Sequence, residues 1–64
     1  MENIIIIKRA IRLLKQRNQM LEASKIKAMG DRDFTLFGNI QRMINQNESM
    51  ILDFEFRVSK MKDK

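Results

Sequence analysis

The side chains that can move protons in this chain are eight carboxylates, Glu2, Glu22, Asp31, Asp33, Glu48, Asp53, Glu55 and Asp63, and no histidine or cysteine stands beside them. Acid–base catalysis needs titratable groups gathered in a pocket, and imidazole or thiolate metal sites need the two residue types that are missing. The spacing does not gather the carboxylates. Asp31 and Asp33 flank a glycine-bearing turn, where helix capping explains them. Glu48, Asp53 and Glu55 fall on the polar side of an amphipathic pattern. The sequence therefore points to a non-enzymatic protein with no catalytic residues, no metal ligands and no cofactor.

A second chemistry open to these residues is phosphate binding. Lys8, Arg9, Arg12 and Lys15 cluster in the first half with Gln16 and Gln19 alongside, a stripe able to follow a nucleic-acid backbone with a salt-dependent affinity. The chain carries 13 Lys and Arg against 8 Asp and Glu, a net charge of +5. The excess is concentrated: residues 1–29 hold seven basic and two acidic side chains. Against this reading, no recognition-helix signature is present, there is no Trp or Tyr, and all four Phe lie in the second half. Binding of RNA or DNA through Lys8, Arg9, Arg12 and Lys15 is the alternative partner class.

The third feature is a pair of amides in the wrong place. Steps of three and four from Ile4 give Ile4, Ile7, Ile11, Leu14, Asn18, Leu21, Lys25 and Ala28. The same steps from Phe37 give Phe37, Ile40, Ile44, Asn47, Ile51, Phe54, Val58 and Met61. Each is a coiled-coil seam, and each holds one asparagine. Between them lies "AMGDRDF", where Gly30 is expected to take the left-handed position after a helix and Asp31 or Asp33 to cap the next. The expected architecture is all-α: a single antiparallel two-helix hairpin over 1–64, with helix one at about 3–29, a turn at about 30–33 and helix two at about 34–62. In a hairpin, facing seam residues must have numbers that add to a constant, and every pair from Ile4/Met61 to Ala28/Phe37 adds to 65. That register brings Asn18 against Asn47. Two facing amides satisfy each other, whereas one buried alone costs about 1–3 kcal/mol, so the pair fixes the register. Lys8 beside Glu55 and Lys15 beside Glu48 are expected to close one side of the seam.

The other side is apolar beyond what two helices can cover. Ile6, Ala10, Leu13 and Met20 widen the apolar arc of helix one, and Leu36, Met43 and Met50 widen that of helix two on the same side. Exposed patches of this kind mark interfaces, and these seven residues are the expected partner-binding set. Completion by a second copy or by a different helical partner is expected, since 64 residues bury too little surface for comfortable stability alone and no disulfide is available. The opening "MENIIIIKRA" is far too short to span a bilayer and lacks the basic region of a signal peptide, which leads to a cytoplasmic expectation.

The chain resembles the small co-chaperones of type III secretion needle subunits in its length, in "MGD" (Met29–Asp31) at the turn, and in Gln41–Arg42 followed by "ESMI" (Glu48–Ile51). The resemblance implies a helical hairpin that pairs with a larger helical-repeat chaperone to hold a needle subunit unpolymerised, and it implies that the Leu36/Met43/Met50 side is the docking surface. In length, helical plan and dimer logic alone, the chain is similar to the plasmid copy-number hairpin that dimerises into a four-helix bundle and binds paired RNA loops. A small phage-type regulator of a host protein shares the same outline. The expected function is a small chaperone or adaptor that docks an apolar side onto a partner.

Overall fold

In a computed structural model, which describes residues 3–62, the chain folds into two helices, α1 (Ile4–Gly30) and α2 (Phe34–Lys62), with no strand among the described residues. They lie antiparallel as a rod with Cα extents of 50 × 16 × 14 Å. The all-α hairpin expected from the heptads is the observed fold. Absence of proline and the scarcity of glycine let each helix run for about seven turns or more. The seam positions then supply the packing that isolated helices lack.

All sixteen seam residues are buried or half-buried, and among the other residues from 3 to 61 only Ala10 and Gln41 are not exposed. Ile7, Ala28, Ile40, Ile44 and Ile51 form the buried set. Its densest part sits near the turn, where Leu21 and Phe37 pack against Ala28, Ile40 and Ile44. Halfway along the rod, Nδ2 of Asn47 donates to Oδ1 of Asn18 at 2.9 Å. The two amides meet as the register requires.

The ends of the helices follow from local chemistry. Asn3 caps α1, its side-chain oxygen accepting from the Ile5 amide at 2.9 Å. Asp33 caps α2 in the same way, accepting from the Leu36 amide at 3.1 Å. The left-handed residue is Arg32 (φ 58°), not Gly30, which is the last helical residue of α1. Ala28 is the last seam position, and helix must continue past it to hold its methyl in the core. The chain then closes with the Asp33 amide donating to Ala28 O at 2.9 Å and the Arg32 amide to Met29 O at 3.1 Å. This is the Schellman arrangement, which fixes the left-handed position at Arg32.

The flanking ion pairs also differ from expectation. Lys15 Nζ lies 3.6 Å from Glu55, not beside Glu48, and Lys8 makes no ion pair among the described residues. Helical side chains lean toward their own N-terminus. In an antiparallel pair Lys15 and Glu55 therefore lean toward each other, while Lys15 and Glu48, like Lys8 and Glu55, lean apart.

Candidate interaction surface

Writing each seam as positions a and d of a heptad, with Ile4 and Phe37 at a, places every remaining side chain on one of two flanks or on the back. Positions e and b of both helices form one flank. Positions g and c form the other.

The e/b flank is mixed in charge. By heptad position, Lys8, Arg12 and Lys15 of α1 and Lys62 of α2 share it with Glu22 of α1 and Glu48 and Glu55 of α2, a balance of +1. A shallow crevice here is lined by Lys15, Gln19, Glu22, Glu48 and Leu52. Lys8, Arg9, Arg12 and Lys15 are all exposed, but Lys8 and Lys15 stand beside the seam, Arg12 farther out on the same flank and Arg9 on the back of α1. The structure also places two carboxylates of α2 on the same flank, one of them holding Lys15. The sequence already sets carboxylates of α2 against Lys8 and Lys15; the structure changes the partner, with Glu55 rather than Glu48 holding Lys15.

Lys25 occupies a seam position and is held there by three partners. Its ammonium donates to Oε1 of Gln41 at 2.9 Å, pairs with Glu22 at 3.1 Å and lies 5.8 Å from the centroid of the Phe37 ring. Gln41 Nε2 in turn donates to Asn45 Oδ1 at 2.9 Å. The alkyl stem of Lys25 packs in the seam while its charge reaches the edge. Gln41 is half-buried for this reason, a role that the heptad pattern gave no sign of.

The g/c flank gathers the residues expected to bind a partner. Ile6, Leu13, Met20, Leu36, Met43 and Met50 are all exposed, from 44% for Met50 to 72% for Met20, and Ala10 is half-buried beneath them. Two crevices run along the flank. One is lined by Ala10, Leu13, Leu14, Met50 and Phe54, the other by Met20, Leu21, Ser24 and Met43. Arg17 lines both. The small side chains of Ala10 and Ser24 at position g leave the hollows, and the longer Leu and Met side chains form their walls. Arg17 belongs to this surface, and it was missed in the sequence because only the apolar positions were traced.

Further exposed apolar residues lie outside this flank. Ile5, Ile26, Met29, Phe34 and Leu52 lie on the e/b flank, three of them near the turn, and Phe56 lies on the back of α2. Among the described residues no group of three or more His, Cys, Asp or Glu side chains is placed to hold a metal ion. No described helix is long and apolar enough to cross a membrane. Comparison with protein-family models, with curated proteins and with solved structures finds no match for this chain.

Proposed function

We propose that this protein is a non-catalytic interaction module, a small cytoplasmic chaperone or adaptor that docks its g/c flank onto a helical partner. The observation that carries the reading is the exposure of Leu13, Met20, Met43 and Met50 in one continuous strip while every seam position is covered. These residues are not spare core, because two helices offer them no third surface. Methionine suits the role, since its unbranched side chain adapts to a partner's contour.

Nucleic-acid binding through Lys8, Arg9, Arg12 and Lys15 is the competing reading, and the acidic side chains of α2 on the same flank weigh against it. Capture from a lysate of the source cells, with and without nuclease, separates the two. The docking reading expects a nuclease-resistant protein partner that Met43→Lys with Met50→Lys releases. Capture abolished by nuclease, and by Arg9→Gln with Arg12→Gln, would replace it with the nucleic-acid reading.

A further inference from the structure

Along the docking flank the apolar side chains recur every seven residues on both helices, as Ile6, Leu13 and Met20 on α1 and Leu36, Met43 and Met50 on α2. A face that meets water or a flat surface follows the 3.6-residue helix period. A strict seven-residue repeat stays level with a neighbouring helix that supercoils against it. The antiparallel register arranges the flank in four rungs about 10 Å apart. Leu13 stands level with Met50 and Met20 with Met43, so both inner rungs are apolar, and each pair lines one crevice. The outer rungs join Ile6 with Arg57 and Leu36 with Lys27, one apolar and one basic side chain each. Arg17 stands between the inner rungs.

Charge on this flank is one-sided. Its g and c positions hold Arg17, Lys27, Arg57 and Lys60 against Asp53, a balance of +3, while the e and b positions balance to +1. Asp53 pairs with Arg57 at 3.3 Å. Setting that pair aside leaves Arg17 in the middle of the strip, Lys27 at the turn end, and Lys60 at the other end with its ammonium 5.0 Å from the centroid of the Phe56 ring.

A second copy of the chain does not suit this pattern. Arg17 is the middle residue of α1. Antiparallel two-fold packing centred on the strip sets Arg17 against Arg17 and basic ends against basic ends, and parallel packing, which lays α1 on the other copy's α2, still sets a flank of +3 against a flank of +3. A bilayer does not suit it either: the inner rungs lie in a groove between two helices, and a lipid surface makes no use of heptad spacing.

We propose that the g/c flank receives an acidic amphipathic helix of another protein as the third helix of a bundle, with apolar layers on the two inner rungs and carboxylates level with Arg17, Lys27 and Lys60. This rests on the docking reading given above and names the chemistry of its partner.

Fluorescence anisotropy with two designed peptides of about three heptads tests it, both with Leu at a and d, one flanked by Glu and the other by Lys. The Glu peptide is expected to bind about tenfold more tightly than the Lys peptide, three exposed contacts sufficing for that ratio. Added salt should narrow the gap. Arg17→Glu with Lys27→Glu, both exposed sites, should reverse the preference with helicity unchanged by circular dichroism. Met43→Gln with Met50→Gln should lose both peptides. Equal binding of the two peptides, still lost in the Gln variant, would overturn the acidic partner and leave docking intact. A dimer in sedimentation that Met43→Gln with Met50→Gln dissolves would assign the flank to a second copy. Flank-dependent binding to phosphatidylcholine vesicles containing about one-third phosphatidylserine, with no peptide bound, would assign it to a bilayer. If neither peptide binds and the protein neither dimerises nor binds vesicles, the docking reading itself falls.

Discussion

Asn18 and Asn47 decide how the two helices lie. A slip of one heptad sets Asn18 against Ile40 or Phe54, and Asn47 against Ile11 or Lys25, so either slip breaks the 2.9 Å hydrogen bond between the amides and leaves Asn18 facing hydrocarbon. Asn18→Ile alone should therefore lower the melting temperature by stranding Asn47, while Asn18→Ile with Asn47→Ile should restore or exceed it. A double-mutant cycle is expected to show a coupling of about 1–3 kcal/mol. Simple additivity would mean that the amides do not work as a pair. This contact was legible in the sequence because seam positions obey an arithmetic rule that side-chain chemistry cannot disturb. The partners of Lys15 and Lys25 were not legible. They depend on which way a long side chain leans along its helix and how far it reaches, and the heptad says neither.

At the level of the helices, the ends show how the chain turns back on itself. Asp33 holds the first turn of α2, and Asp33→Ala should cost about 1 kcal/mol in denaturant melting. Arg32 pays a conformational penalty at φ 58° that glycine would not, so Arg32→Gly should stabilise the hairpin by roughly 0.5–1 kcal/mol. Gly38 lies inside α2 with a right-handed backbone, and a methyl added there meets nothing within 4 Å. Gly38→Ala should stabilise by a similar amount, about 0.5–1 kcal/mol. If Arg32→Gly and Gly38→Ala left the melting midpoint unmoved or lowered, the backbone argument would be wrong at that residue. The position of the turn was readable from "AMGDRDF" and from where each seam stops. Which residue would turn left-handed was not, because a glycine attracts that reading even where the helix must run on through it to keep Ala28 packed.

For the whole molecule, a seam closed along its entire length stands beside an apolar strip left open. The seam needs nothing from Met43 or Met50, which stand outside it at 45% and 44% exposure. Burial of each against a partner would contribute about 1.5–3 kcal/mol, enough for a few such residues to decide association. The strip itself was visible in the sequence as surplus apolar positions. The basic residues set among them became visible only when the two helices were brought together. The most direct measurement compares Met43→Lys with Met50→Lys against Gln16→Lys with Gln19→Lys, by thermal circular dichroism and by binding to the captured partner. Both double variants should keep the helicity and melting of the parent, and only the methionine variant should lose the partner. Loss of helicity in the methionine variant with partner binding unchanged would show that Met43 and Met50 belong to the hairpin's own core, and the docking surface would have to be sought elsewhere.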